Sequence, residues 1–206
     1  MTRILSAALA LTVTVTATLA AFGPALAAPA DSVPPSGKLA FDVIRKGRDI
    51  GDYVVTFHKA GAGMTVDIAT NVSVKVPVIG VSAYRFHQAS TETWHGGRLA
   101  GLTSKTDDNG KPHSISLGAS DLVPASLWDA DILRASKVLN TIDGSTDAVR
   151  VSNKGVESIA TGTGPVQATH YALQGDMNRD LWFAGAKLVH VRFTAEDGSQ
   201  IDYALR

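Results

Sequence analysis

The sequence predicts an all-β fold: a single curved antiparallel meander sheet, a half-barrel or open barrel, with one short helix or loop as a lid. From residue 38 onward, apolar and polar residues alternate in short runs, and turn residues interrupt these runs roughly every ten positions. Only one segment, residues 123–134, has apolar residues at helical spacing. A doubly wound α/β fold needs a helix between successive strands, so the chain is not of that class. Many short strands joined by tight turns must curl or close to protect their edges.

The strands follow one another through residues 38–206, which are expected to form one β domain. Turn residues separate them, and the strongest hairpin signal is Asp107-Asp108-Asn109-Gly110. The other turns are predicted at residues 47–48, 61–63, 96–97, 143–144, 153–155, 185 and 197–198. The strands are predicted at residues 38–46, 50–58, 64–76, 82–95, 98–106, 113–117, 137–142, 147–152, 156–161, 165–174, 180–183, 187–194 and 200–205.

The segment VPASLWDADILR, residues 123–134, breaks the alternation. Pro124 suits a first helical turn, and Leu127, Trp128, Ile132 and Leu133 recur at helical offsets. The pattern predicts one short helix or a compact loop.

Residues 1–27 have the pattern of a secretory signal peptide. They contain one basic residue, Arg3, no acidic residue, an apolar run over residues 4–21, and the small-x-small site Ala25-Leu26-Ala27. A cut after Ala30 is the alternative. Residues 28–37, which contain three prolines, are expected to form a flexible leader. We therefore expect a bacterial periplasmic or secreted protein with no stable membrane span after processing.

The composition excludes several classes of function. The 206 residues carry 19 basic and 19 acidic side chains, so there is no basic field to attract nucleic acid. The absence of cysteine excludes disulfides, thiolate metal sites and cysteine nucleophiles.

One face of the strand at residues 82–95 is aromatic at its ends and polar in its middle. Alternation places Tyr84, Phe86, Glu92 and Trp94 together on that face. The simpler interpretation of such apolar stripes is a filled core. The alternative is a cavity, because the strands are rich in small side chains that leave room near a concave face. The residues expected to line such a cavity are Phe41, Phe57, Tyr84, Phe86, Trp94 and Phe193, with Trp128 on the lid.

Glu92 is the acidic residue of most interest, because it alternates with aromatic residues. A carboxylate on a buried face needs a charged partner or a raised pKa. Arg85 and Arg98 are near in sequence and could pair with it. Glu92 then forms either a structural ion pair or, with Arg85 or Arg98, an anchor for the head group of a ligand.

Motifs for catalysis are absent from the sequence. There is no G-x-S-x-G, HExxH, Walker or Rossmann pattern. His87 and His95 share a strand face but lie about 26 Å apart at roughly 3.3 Å per residue, so they cannot bind one metal ion. We therefore predict no catalytic residue, no metal and no cofactor.

Four stretches resemble a secreted bacterial family known as domain of unknown function 6134. They are GRDIGDYVVTF, YRFHQASTETWHGGRLAGLTSKTDDNG, VPASLWDADIL and DLWFAGAKLVHVRFTAEDGSQIDYAL, and the resemblance covers residues 36–206. The family motif DLWYD reads DLWFA here, with Phe183 and Ala184 at its end. At the level of the fold, the chain is also similar to periplasmic lipoprotein carriers, whose curved sheet is closed by helices around acyl chains. That resemblance implies a binding protein and assigns no reaction.

The leading hypothesis is a protein that binds an apolar or amphipathic molecule, such as a lipid or an acyl-bearing envelope component, in the concave face of its sheet. Two alternatives stay open: an envelope enzyme with a site dispersed over His, Glu and Asp residues, and an interaction module that docks an envelope protein.

Overall fold

The computed structural model of the chain describes residues 29–75 and 82–206. The predicted signal peptide, residues 1–27, lies outside these residues. Within the part described, strands form a single sheet of 13 strands in the order β6-β5-β4-β3-β2-β1-β13-β12-β11-β10-β9-β8-β7. The first strand, β1, therefore pairs with the last one, β13. The other neighbouring strands also pair antiparallel, except for one pair. The strands are β1 Lys38–Arg45, β2 Arg48–Ala60, β3 Gly63–Lys75, β4 Ser82–His95, β5 Arg98–Asp108, β6 Lys111–Leu117, β7 Val123–Pro124, β8 Lys137–Leu139, β9 Thr146–Thr161, β10 Gly164–Gly175, β11 Arg179–Ala184, β12 Lys187–Thr194 and β13 Gln200–Leu205.

The predicted all-β class and the curved, open antiparallel meander are confirmed. The exception to antiparallel pairing is the short parallel pair of β7 and β8. The sheet does not close, because β6 and β7 are its two edges. The edge strand β6 nevertheless approaches the β8–β9 loop: a methyl group placed on Gly144 would lie 3.4 Å from Leu117 Cδ1 and 3.7 Å from Ile115 Cγ2.

The predicted turn at residues 153–155 is wrong, since β9 continues through it as one strand. Gly155 pairs with His170 and Asn153 pairs with Tyr171, so Lys154 is an extra residue opposite a register shift. Gly155 has φ +106°, and its N–H donates to Asn153 Oδ1 at 2.8 Å. Asn and Gly residues that favour turns also favour β-bulges, and here they form a bulge inside a long strand.

The inner face of the sheet holds the core, and the alternation predicted for β4 is the one observed. Ser90, Glu92 and Trp94 point inward and are buried, whereas His87 and Ala89 are exposed on the outer face. The residues paired with Glu92 on the neighbouring strands, Val66 of β3 and Leu102 of β5, are buried as well. Burial of alternate residues on β1, β2, β3 and β5 is consistent with a sheet that curls around a shared interior.

One end of the half-barrel is filled by residues 125–134, which we call the plug. It ends in a 3₁₀ helix, Ala130–Arg134, whose N-cap Asp129 accepts a hydrogen bond from Asp131 N at 3.0 Å. Ala125 N donates to Leu139 O at 2.9 Å, which ties the start of the plug to β8. The short helix predicted in this segment is therefore present, and it lies inside the end of the barrel.

Residues near the start of the described chain contact the plug. A 3₁₀ turn at Pro29–Ser32 places the buried Ser32 hydroxyl where it accepts a hydrogen bond from Ala130 N at 3.0 Å. Part of the segment assigned to a leader from the sequence thus lies against the barrel.

The hairpin of β9 and β10 reaches past β11 and β12 to the last strand. At its tip, Gly162 N donates to Leu205 O at 2.8 Å, and a methyl group on Gly162 would lie 2.5 Å from the carbonyl carbon of Arg206. On the outer face, Trp182 Nε1 donates to Glu157 Oε1 at 2.6 Å. These contacts attach the long hairpin to the body of the sheet.

Candidate ligand-binding cavity

The other end of the half-barrel is hollow. A cavity of about 1220 Å³ lies between the inner faces of the two halves of the sheet. Plug residues Ala125, Ser126 and Leu127 line its floor, and the β5–β6 and β12–β13 turns line its open end. At about 30 Å³ per molecule, water alone would fill it with roughly 40 molecules. The space is somewhat larger than a typical small-molecule site, for which the range is about 300–1,000 Å³.

The cavity walls combine apolar and polar side chains. The apolar part comes mainly from Val43, Val72, Val74, Phe86, Phe193 and Ile201. The polar part includes Thr70, Gln88, Ser90 and Thr141, together with charged residues such as Arg45, Asp108, Arg179 and Asp197. Such a lining favours an amphipathic guest over a purely apolar one.

Charged and aromatic residues surround the opening. Arg45 forms an ion pair with Asp197 and donates to Ser199 Oγ at 2.8 Å, which fixes the β12–β13 turn to β1. Tyr84 donates to Asp108 Oδ1 at 2.9 Å across β4 and β5. Burial and this carboxylate raise the pKa of Tyr84, so its hydroxyl stays a neutral donor at ordinary pH.

The structure divides the aromatic residues and Glu92, predicted from sequence, into two groups. Tyr84, Phe86 and Phe193 line the cavity. The remaining aromatic residues and Glu92 lie beneath the floor, in the packed end of the barrel, and do not line the cavity: Phe41, Phe57, Glu92, Trp94 and Trp128. Trp128 therefore does not cover the cavity as a lid; it is fully buried in the plug.

The packed end is organised around the carboxylate of Glu92. Trp94 Nε1 and Trp128 Nε1 each donate to Glu92 Oε2 at 3.0 Å. The rings of Trp94 and Trp128 meet edge to face with centroids 5.6 Å apart, and Phe57 meets Trp128 in the same way at 5.1 Å. The predicted cavity is therefore absent at this end of the half-barrel, because the rings of Phe57, Trp94 and Trp128 fill the space.

Burial dominates the electrostatics of Glu92. Desolvation raises its pKa to about 7, while the nearby Ser126 hydroxyl and the two indole N–H groups oppose part of the rise. The charge of Asp129 raises it further. Asp129 is itself buried, and desolvation raises its pKa to about 6. The raised pKa, rather than a charged partner, is how the protein accommodates an acid at this position.

The arginines predicted as partners of Glu92 lie elsewhere. Arg98 is three-quarters exposed and forms an ion pair with Asp121 at the surface. Arg85 is exposed on the outer face of β4. Neither lines the cavity, because odd-numbered residues of β4 point outward and Arg98 begins β5 beyond the packed end.

The charged residue that the sequence reasoning missed is Arg179, at the start of β11. Its guanidinium carbon lies 4.1 Å from the centre of the Phe193 ring, and Nη1 donates to Asn178 O at 2.8 Å. It is partly buried on the cavity wall, and this burial lowers its pKa. The available signal was its alternation with Leu181 and Phe183, which places it on the inner face.

A second cluster of titratable side chains lies on the outer face. The His170 and Trp182 rings stack at 4.3 Å, and His170 Nε2 lies 2.9 Å from Asp180 Oδ1. His190 Nε2 lies 3.0 Å from Asp202 Oδ1. Among residues 29–75 and 82–206, no group of three or more His, Asp or Glu side chains is arranged to hold a metal ion. No helix in this part of the chain has the length and apolar character needed to cross a membrane.

Comparison with known proteins places the chain among its relatives. Residues 41–206 match the family model described as Domain of unknown function (DUF6134). The chain belongs to this family. No curated protein matches it. A crystal structure of a beta-barrel-like protein of domain of unknown function DUF1849, from Brucella abortus, is similar at 11% sequence identity and a TM-score of 0.49, over 82% of this chain and 94% of that one.

Proposed function

We propose that this member of the DUF6134 family is an exported bacterial protein that binds an amphipathic molecule, such as a lipid or an acyl-bearing envelope component, inside its half-barrel. The observation that carries the proposal is the cavity of about 1220 Å³ with a packed floor and an open end. The packed floor limits how deep a guest lies.

The lining supports an amphipathic guest on energetic grounds. Each methylene buried against the apolar wall contributes about 0.8 kcal/mol. A chain of eight buried methylenes would thus contribute roughly 6 kcal/mol before the costs of association. Polar side chains of the lining would hydrogen-bond the polar part of the guest.

The packed end supports binding by keeping the cavity in shape. Trp128 ties the plug to β4 through Glu92, and Tyr53 donates a hydrogen bond to Ser126 O in the floor. Gln88 Nε2 donates to Thr141 O at 3.1 Å, which links β4 to the loop after β8 across the interior. A preformed site avoids the cost of ordering the walls on binding.

The export part of the proposal rests on the sequence. Arg3, the apolar run over residues 4–21 and Ala25-Leu26-Ala27 have the pattern of a signal peptide. A lipid-binding protein with such a signal would work in the periplasm or outside the cell.

The first test is to purify the protein from its own host, extract it with organic solvent and analyse the extract by mass spectrometry. We expect one class of amphipathic molecule to co-purify in stoichiometric amount. Recovery of no such molecule, together with no change in melting temperature across a lipid panel, would contradict the proposal.

A matched pair of variants locates the binding site. Val72→Trp places a large ring inside the cavity, whereas Asn71→Trp places the same ring on the exposed outer face of the same strand. We expect Val72→Trp to weaken binding of a fluorescent fatty acid by about tenfold or more, and Asn71→Trp to leave it unchanged. Equal binding by both variants would show that the guest lies elsewhere.

A further inference from the structure

Arg179 differs from Arg45 and Arg192 in lacking a carboxylate partner among the described residues. Arg45 pairs with Asp197. Arg192, whose guanidinium lies 5.6 Å from the ring of the outer-face residue Trp182, donates to Asp202 Oδ1 at 2.6 Å. Lys111 lies at the opening and is exposed to water. Within the described residues, no acidic side chain lies within 4.0 Å of the Arg179 guanidinium.

The Arg179 guanidinium is also left with unused donors. It has five N–H groups, and only one of them, on Nη1, makes a hydrogen bond with the described residues, to Asn178 O. The contact with Phe193 holds the guanidinium plane against the wall without using an N–H donor. The remaining donors make no hydrogen bond with the described residues, and Arg179 lines the cavity.

Tyr203 places a second unused polar group beside Arg179. Its ring packs between Tyr53, at 5.4 Å, and Phe193, at 5.8 Å. Its hydroxyl makes no hydrogen bond with the described residues, although the side chain lines the cavity. Arg179 and Tyr203 contact the same ring, that of Phe193, so their polar ends lie on the same part of the wall.

Three acidic residues of the cavity lining make polar contacts elsewhere. Asp180 lies 2.9 Å from His170 Nε2, Asp147 accepts a hydrogen bond from Asn140 at 3.1 Å, and Asp176 accepts one from Ala148 N at 2.8 Å. A partly buried guanidinium without a counter-ion is costly unless a ligand supplies the missing charge.

We propose that Arg179 and Tyr203 bind the anionic head group, a carboxylate or a phosphate, of the amphipathic guest. The inference rests on the proposed function and specifies its ligand class. The guanidinium binds two oxygens of the head group, the Tyr203 hydroxyl donates to one of them, and the acyl part lies along Phe86, Val72 and Val74.

The test compares three guests of equal chain length: palmitate, hexadecyl phosphate and hexadecanol. Each is titrated below its critical micelle concentration against a bound fluorescent fatty acid. The proteins compared are the wild type, Arg179→Gln, Arg179→Lys, Tyr203→Phe and the control Arg98→Gln, which removes an arginine outside the cavity. Thermal unfolding of each variant checks that it folds.

We expect the wild type to prefer one or both anionic guests over hexadecanol by roughly 10- to 100-fold, the range for hydrogen bonds to charged groups. Arg179→Gln should abolish this preference, and Arg179→Lys should keep part of it because it keeps the charge but loses the planar fork. Tyr203→Phe should cost less than Arg179→Gln, and Arg98→Gln should change nothing. The guest that loses most on Arg179→Gln identifies the head group as carboxylate or phosphate.

Three outcomes would overturn the inference in distinguishable ways. Equal binding of hexadecanol and both anions by the wild type, or an unchanged preference in Arg179→Gln, removes the anionic head group but leaves the proposed function intact. An equal loss in Arg98→Gln shows a general effect of charge instead of a site. Failure of all three guests to bind overturns the proposed function, and the head-group site with it.

Discussion

The indole nitrogen of Trp128 donates a hydrogen bond to Glu92 Oε2 at 3.0 Å, so the plug is attached to β4 through a buried acid. Trp94 donates to the same oxygen at the same distance. Two neutral donors satisfy one carboxyl oxygen, and no cation approaches it within 4.0 Å among the described residues. The arrangement makes Glu92 a structural residue of the packed end, and its protonation state affects stability more directly than it affects the cavity.

Stability is expected to fall as the pH rises from about 4.5 to about 7. The pKa of Glu92 is about 7 in the folded protein against 4.5 as its ordinary value, so the folded state holds an extra proton between these pH values. The contribution of Glu92 to the free energy of unfolding is therefore largest below pH 4.5. It decreases by about 3 kcal/mol in total between pH 4.5 and pH 7. Glu92→Gln should abolish this contribution. Urea unfolding across the pH range measures it.

Asp129 titrates in the same direction and provides a further check. Its pKa rises from 3.8 to about 6, so Asp129→Asn should remove an additional part of the decrease while the amide oxygen still caps the helix. Asp31→Asn, at an exposed position, is the matched control. A Glu92→Gln protein whose stability depends on pH as strongly as the wild type would contradict the assignment.

Trp128→Phe is expected to destabilise the protein by about 2–4 kcal/mol, since it opens a void in the packed end and removes one donor to Glu92. Trp128 has no exposed surface, and its ring contacts both Phe57 and Trp94 edge to face. Chemical denaturation with far-UV circular dichroism gives the free energy. Combined with Glu92→Gln, the loss should be less than additive. A cost below about 1 kcal/mol would mean that the plug is only loosely attached.

Gly51→Ala is expected to lower the free energy of unfolding by about 2 kcal/mol or more. Gly51 has φ +154°, and a methyl group there would lie 1.8 Å from Asn71 O on the neighbouring strand. The strands would have to separate to admit it. Gly101→Ala is the control within β5, where the added methyl group would meet only Leu117 O at 3.5 Å. Equal losses for the two variants would contradict the close approach of β2 and β3.

Arg98→Gln is expected to change the free energy of unfolding by less than about 1 kcal/mol, because exposed ion pairs contribute little. The Arg98 side chain is 75% exposed and that of its partner Asp121 is 83% exposed. Thermal unfolding and fatty-acid binding should both match the wild type. A large loss of binding in Arg98→Gln would contradict this expectation.

Much of the fold could be predicted from local patterns. The bounds of β4, β12 and β13 were predicted to the residue, because Gly-containing turns and strict alternation mark both ends. The bulge in β9 was mistaken for a turn because both structures favour Asn and Gly. A local pattern cannot distinguish the two, because the difference lies in whether the neighbouring strand, here β10, pairs with the chain on both sides of the bulge.

The candidate site was predictable only in part. Parity identified the inner face of β4, and Tyr84, Phe86 and Phe193 do line the cavity. Odd or even position along a strand does not give the distance of a residue from either end of the half-barrel. That distance decides whether an inward side chain contacts the plug, as those of Glu92 and Trp94 do, or lines the cavity. That position depends on the register of distant strands and on where residues 125–134 insert.

The sheet order has a consequence for how the molecule is made. β13 occupies the middle position of the 13 strands, between β1 and β12, although it is the last of them to be synthesised. Until it emerges, β1 exposes a bare edge, and the two halves of the wall lack the strand whose backbone hydrogen bonds join them. A chain truncated before Gln200 would therefore leave two half-sheets with unpaired inner edges, which are prone to aggregate.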